Sequence, residues 1–236
     1  MQKNQFMAIA LLGSSHRFNS VRSRKLRVLG RDRSLPHFGR KFYHFVMGMV
    51  CFSLYAFVLT REQALLTLGV VGGIWVALDV IRLRYPAANA VALQFFGKLM
   101  RREELKSVSG NTFYILGMIT IVYFFPKPIV LLSVLYLAIG DPIAAVVGTM
   151  WGKNRLVGKK SLEGAVANLL CTGLATYLVA MSYFNFSFDH AVALAAFGGL
   201  ISVVAELLPF PIDDNFTIPV MSAILLSVMN FAFPLI

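Results

Sequence analysis

The chain has 236 residues, 58% of them hydrophobic and 14% charged, and its mean hydropathy is +0.72. Soluble domains average about 25% charged residues and soluble surfaces need roughly 25–35%, so an ordinary soluble enzyme, a disordered chain and a fibrous protein are excluded. The net charge of +11 suits nucleic acid or an anionic membrane. The basic residues flank apolar runs, so the expected partner is the lipid bilayer and not nucleic acid; phosphorylated substrates are a second, compatible reason for the charge. Cys51 and Cys171 both lie in apolar runs, which leaves no disulfide framework and no Cys-rich metal site.

In chain order, residues 1–41 form a basic tail, with Arg22, Arg24, Lys25, Arg27, Arg31, Arg33, Arg40 and Lys41 against the single acid Asp32. Such a stretch anchors on anionic lipid. A cleaved targeting peptide is the alternative, although the run Phe6–Leu12 is no longer than the shortest signal core. Residues 42–236 form a transmembrane domain. A spanning helix takes about 20 apolar residues, and seven runs qualify: Phe42–Leu59, Ala64–Ile81, Asn111–Phe125, Pro128–Trp151, Leu162–Tyr183, His190–Pro209 and Ile218–Ile236. Between the second and third, residues 87–105 place Val91, Ala92, Phe95, Phe96 and Leu99 on one helical face and Gln94, Lys98, Arg101 and Arg102 on the other. That pattern is an interfacial amphipathic helix. The expected fold is all-α: a polytopic membrane bundle of about seven transmembrane helices plus this interfacial helix.

The loops sort into two sides. Segments 1–41, 82–110, 152–161 and 210–217 hold 20 of the 22 Lys and Arg residues, and the other side holds only Arg61 and Lys127. The positive-inside rule puts the first side, and the amino terminus, in the cytoplasm. A bacterial inner membrane and an endoplasmic reticulum membrane both fit.

Acids inside a span cost about 2.5–3.5 kcal/mol each at its centre. Six of the 11 acids, Asp79, Asp141, Glu163, Glu206, Asp213 and Asp214, fall at or near the cytoplasmic ends of spans, on the side of Arg40, Lys41, Arg82, Lys159 and Lys160. Carboxylates beside cations suit Mg²⁺ and a polyphosphate, because Mg²⁺ is commonly held by one or two carboxylates plus substrate phosphates. Snorkelling salt bridges are the competing explanation, and for Asp79 with Arg82 both remain open. Asp141 is too deep to snorkel. Its setting, Gly140-Asp141-Pro142, predicts an interrupted helix lining a cavity. Gly158-Lys159-Lys160-Ser161-Leu162-Glu163-Gly164 is not a nucleotide-binding P-loop, since Lys160 stands where the hydroxyl residue belongs. It supplies two cations and Ser161 as a helix cap, and a helix amino terminus attracts phosphate. Asp213-Asp214-Asn215 sits in a tight polar loop before the last span, and His44 lies on the same side.

Four segments together resemble the CTP-dependent lipid kinases, the family of dolichol kinase, phytol kinase and the CTP-dependent diacylglycerol kinase. They are Arg40-Lys41-x-x-His44, Gly140-Asp141-Pro142-x-Ala144-Ala145-x-x-Gly148, Lys159-Lys160-Ser161-x-Glu163-Gly164 and Asp214-Asn215-x-Thr217-Ile218-Pro219. The Lys-Lys-Ser-x-Glu-Gly segment is also similar to phosphatidate cytidylyltransferases. The resemblance implies transfer of the γ-phosphoryl of CTP to the hydroxyl of a membrane lipid alcohol. It implies catalytic roles for Asp141, Lys160 and Asp214, and nucleotide binding by Arg40, Lys41, Lys159, Ser161, Glu163, Gly164, Asn215 and Thr217. Mg²⁺ would be held by Asp141 and Asp214, with Glu206 as a further ligand; His44, Asp79 and Arg82 are additional candidates. A cytidylyltransferase acting on a lipid phosphate and a transporter are the alternative readings, but transporter sites lie near the bilayer midplane.

Overall fold

A backbone in hydrocarbon must satisfy its own hydrogen bonds, and this chain does so with helices. The computed structural model describes residues 35–97, 100, 103–234 and 236. The basic tail before residue 35, and Lys98, Leu99, Arg101 and Arg102 of the amphipathic segment, lie outside the described residues. The chain divides into two units, Met1–Gly39 and Arg40–Ile236, and the bundle described below belongs to the second.

The helices are α1 (Leu35–Phe57), α2 (Arg61–Arg84), α3 (Pro86–Phe96), α4 (Gly110–Phe124), α5 (Lys127–Leu135), α6 (Asp141–Met150), α7 (Leu162–Ser182), α8 (Phe188–Leu207) and α9 (Asp214–Ala232). A π-helical turn, Tyr136–Gly140, joins α5 to α6, so Lys127–Met150 is one continuous helical column. Five elements are long and apolar enough to cross a membrane: α2, that column, α7, α8 and α9. The two remaining expected spans are α4, apolar but only 15 residues long, and α1, which has 23 residues but opens on Arg40, Lys41 and His44. The protein is therefore a helical, polytopic membrane protein.

The amphipathic segment is shorter than its sequence pattern predicts. Helix α3 ends at Phe96, where Gly97, a poor helix former, follows. A single 3₁₀ turn at Glu103–Leu105 precedes α4.

The α5–α6 column is the axis of the bundle. Its most apolar window is 78% buried, and Val130, Leu131, Leu132 and Tyr136 are fully buried. The break predicted at Gly140-Asp141-Pro142 is a change of helical register and not an unwinding. Gly140 and Asp141 both keep right-handed helical dihedrals. Pro142 has no N–H to donate back along the helix, and the π turn before it absorbs that missing bond, as π turns commonly do at functional sites. Gly140 is required for space. A Cβ there would stand 2.5 Å from Asn168 Oδ1 and 2.8 Å from Ser202 Oγ. On the other side of the column, Gly48 of α1 packs directly on Ala138.

The two cations on the sparsely charged side are helix caps. The last carbonyls of a helix have no partner within it. Arg61 donates to the Tyr123 carbonyl at the end of α4. Lys127 donates to the Ala56 carbonyl at the end of α1 at 3.1 Å, and Tyr183 Oη donates to the same carbonyl at 2.9 Å. The Lys127 ammonium also sits 5.3 Å from the centre of the Tyr55 ring. Replacing Lys127→Met removes one charged donor and one cation–π contact, and should destabilise the protein by about 1–2 kcal/mol. Unfolding in detergent micelles, compared with the conservative Lys127→Arg, measures it; an unchanged melt for Lys127→Met would show the cap contributes nothing.

Candidate active site

Asp141 is the first residue of α6, buried at the point where the π turn hands over to α-helix. Its carboxylate is ion-paired with Lys41 of α1. Arg40 and His44, from the same turns of α1, add their charge to the field at Asp141. A buried carboxylate is tolerable only with such compensation.

Glu206, in the last turn of α8, is the second buried acid of the cluster. Its Oε2 accepts from Asn168 Nδ2 of α7 at 2.9 Å, and it feels the charges of Asp141, Lys160 and Lys41. Ser202 Oγ in turn donates to Asn168 Oδ1 at 2.8 Å. Lys160 donates to the Glu206 carbonyl and lies 3.7 Å from Asp214 Oδ1. Lys41, Asp141, Glu206, Lys160 and Asp214 thus form one cluster of two lysines and three carboxylates, drawn from α1, α6, α8, the segment before α7, and α9.

Lys160 reaches this position from a hairpin. Strands β1 (Arg155–Val157) and β2 (Lys160–Ser161) pair antiparallel around the two-residue turn Gly158-Lys159. Gly158 has φ +55°, and the first central position of such a turn calls for glycine. Ser161 caps α7 as expected, accepting from Gly164 N at 3.1 Å. Gly164 is where α7 touches α6: a Cβ there would stand 2.6 Å from the Ala144 carbonyl oxygen. Glu163 turns to the loop before β1, accepting from Asn154 Nδ2 at 3.0 Å and from the Asn154 amide. Lys159 is exposed at the hairpin tip, beside a polar depression of about 390 Å³ lined also by Gly148, Thr149, Arg155 and Gly158.

The start of α9 is built by its own side chains. Asp213 caps it, accepting from Asn215 N at 2.9 Å. Asn215 is buried and donates to the Gly110 carbonyl of α4 at 3.2 Å, and Thr217 is buried with its hydroxyl toward the Asp213 carbonyl at 3.4 Å. Asn215, expected at the nucleotide, thus joins α9 to α4, while the Thr217 hydroxyl turns back to the start of its own helix.

Asp79 and Arg82 make a second, separate polar knot. Asp79 Oδ2 accepts from Ser109 N, Ser109 Oγ and Thr112 Oγ1 at 2.7–2.9 Å, while Oδ1 accepts from Arg82 Nε at 2.7 Å. Arg82 also donates to the carbonyls of Glu104 and Ser107 at 3.0 and 2.7 Å. This network fixes the 103–109 loop to α2.

Among the described residues no group of three or more His, Cys, Asp or Glu side chains is arranged to hold a metal. The donors at hand are hard carboxylate oxygens beside cations. They fit Mg²⁺ in the manner that ion prefers, with one or two carboxylates and the rest of the shell from substrate phosphates and water.

Two residues of this site escaped the reading of the sequence, Asn168 and Ser202. A signal was present. Asn168, Thr172 and Thr176 repeat every four residues along one face of α7, and all three are fully buried. Thr172 donates to the Asn168 carbonyl at 2.7 Å, and Thr176 lies 3.3 Å from Tyr136 Oη. A neutral polar stripe on a span-length helix marks an inward face as surely as a charge does.

Fold and site together define a polytopic helical membrane protein with a compensated carboxylate–lysine cluster at one end of its bundle. No protein-family model and no solved structure matches the chain. It is 34% identical over 206 residues to the CTP-dependent diacylglycerol kinase 1 of Eremothecium gossypii, covering 78% of this chain and 64% of that one. To the protein of the same name in Saccharomyces cerevisiae it is 30% identical over 80% of this chain and 71% of that one. A chloroplastic protein of Glycine max named as a probable phytol kinase is 27% identical over 57% of this chain and 50% of its own. The chain belongs to the family of CTP-dependent lipid kinases.

The Lys41–Asp141 pair yields a stability prediction. Lys41→Met strands a buried carboxylate, and losing one partner of a buried pair costs about 3–5 kcal/mol. The double variant Lys41→Met/Asp141→Leu, which removes both charges, should recover more than half of that loss. Equal melting points for the single and double variants in detergent would show that the two charges do not compensate one another.

Proposed function

We propose that the protein phosphorylates diacylglycerol, transferring the γ-phosphoryl group of CTP to the lipid's free hydroxyl at the cytoplasmic membrane face. The observation that carries this reading is the Lys41–Asp141 ion pair within the α5–α6 column, with Glu206, Lys160 and Asp214 beside it. The relatives that match at 30–34% identity are named for diacylglycerol, which favours that acceptor over phytol or a polyprenol.

Phosphoryl transfer asks a protein for positioning and charge neutralisation more than for covalent chemistry. Lys160 and Lys41 meet the triphosphate charge, with Lys159 and Arg155 of the hairpin meeting the nucleotide from the water side and Arg40 assisting. Asp141 and Asp214 would hold Mg²⁺, which neutralises the charge shared between the β- and γ-phosphates when bound. The lipid oxygen forms a bond to the γ-phosphorus as the bond from that phosphorus to the β-bridging oxygen breaks. CDP leaves, and the hydroxyl proton passes to Glu206, which Asn168 holds in place. Lys41 holds the Asp141 carboxylate in place before substrate arrives, so little reorganisation is needed during reaction.

The reaction is tested with labelled CTP and diacylglycerol. Label from the γ position should enter the lipid and label from the α position should not; cytidine in the lipid product would make the protein a nucleotidyltransferase. Asp141→Asn should lower turnover at least ~100-fold, and near-parental turnover in a normally melting variant would remove Asp141 from the mechanism. The orientation rests on the 20 basic residues of one side against two on the other. In a Cys51→Ser, Cys171→Ser background, Lys25→Cys should react with an impermeant maleimide from the cytoplasmic side and Ile236→Cys from the opposite side. Labelling of both from one side would refute an odd number of spans.

A further inference from the structure

Helix α3 is an unusual element for a packed bundle, because none of its residues is buried. Five of its residues, Ala88, Val91, Ala92, Phe95 and Phe96, nevertheless line a hollow of about 520 Å³ bounded by α1, α2, α3 and the start of α4. Trp75, Leu78 and Ile81 form one wall, and Ala92, Phe95 and Phe96 the other. Phe96 meets Trp75 edge to face, with ring centres 6.4 Å apart. The volume falls in the ~300–1,000 Å³ range of ligand sites.

Polar contacts hold this helix in place. Asn89 of α3 donates to the Leu105 carbonyl at 3.2 Å and receives Arg82 Nη1 at 3.4 Å. The buried Asp79–Arg82 knot ties the following loop to α2. Helix α3 is thus held over an apolar hollow by its polar attachments and the Phe96–Trp75 contact, with none of its residues buried. A surface built in this way is completed by an apolar ligand.

The hollow has a polar wall on α1. Arg40, Tyr43 and His44 of α1 line it. Arg40 and His44 are also the residues whose charges act on Asp141, and Lys41, between them in sequence, makes the ion pair. One stretch of α1 is therefore the shared wall of the hollow and the Asp141 cluster. A molecule with an apolar body in the hollow has its polar head at the reactive carboxylate.

We infer that this cavity is the binding site for an acyl chain of the lipid acceptor, with α3 as its outer wall. The identity of the acceptor rests on the proposed kinase activity; the site itself does not. Specificity for the acceptor's tail then lies in Trp75, Ala92, Phe95 and Phe96, away from the residues that handle phosphate.

Two measurements test this. The first uses the unaltered protein in detergent without CTP and a diacylglycerol carrying a diazirine at the end of one acyl chain. Photolabel should fall on residues 75–81 and 91–96 and be displaced by dioleoylglycerol but not by dioleoylphosphatidylcholine. Label elsewhere, or equal displacement by the phospholipid, which would mark a site for bulk lipid, overturns the inference. The second fills the cavity with Ala92→Trp. The KM for dioleoylglycerol should rise about tenfold and that for dioctanoylglycerol much less, with the KM for CTP unchanged; an equal loss for both acceptors overturns the role in tail recognition. If the unaltered protein is labelled in the cavity but phosphorylates no lipid, the kinase reading fails and the lipid site stands. If it phosphorylates diacylglycerol while the label lies elsewhere, the reverse holds.

Discussion

A carboxylate held at the centre of a helical column in a membrane needs a cation brought to it, and much of this architecture follows from meeting that need at Asp141. Lys41 arrives on α1, and α1 can come close enough because Gly48 rests directly on Ala138 of the column. The π turn sets the phase at which Asp141 leaves the column, and Gly140 lets the Asn168–Ser202 pair press against the turn. Remove any of these close approaches and the ion pair loses its geometry. Buried ion pairs add little net stability when desolvation is counted, so retaining one here is better explained by what the charges do than by what they hold together.

Charge is partitioned among three places, and each is handled differently. At the Asp141 end two lysines stand among three carboxylates from five segments, a form suited to receiving a polyanion together with a cation. In the Asp79–Arg82 knot all the charge is absorbed by local hydrogen bonds, and the result is mechanical: a loop and a short helix fixed to α2. At the opposite end Arg61 and Lys127 are spent on helix carbonyls. The positive-inside count separates the first two places from the third, but only the partners in space separate the first from the second.

This difference also marks how far the sequence could be read. Span positions were legible because apolar runs of this length admit one solution in lipid, and helices α7, α8 and α9 fall close to their predicted bounds. Asp141 was legible as an expensive residue in an odd setting. Its partner was not, because Lys41 is 100 positions away and four other basic residues were equally plausible on charge alone. The end of α3 at Phe96 was not legible because amphipathic periodicity runs through Gly97 without marking it as a cap. Asn168 and Ser202 were passed over because neutral polar residues carry little insertion cost, yet in a dry interior they supply the hydrogen bonds that hold Glu206.

The π turn carries a consequence for how such a site can arise. A π turn accommodates one residue more than the α-helix it interrupts, and each residue of an α-helix advances the chain by about 100°. Deleting a single residue from Tyr136–Gly140 would restore a plain helix and leave α5 and α6 close to their present phase, because four residues at about 100° each turn the chain nearly as far as five in the wider π turn. The π turn thus admits one extra residue into the column while α6 keeps the phase that brings Asp141 to Lys41.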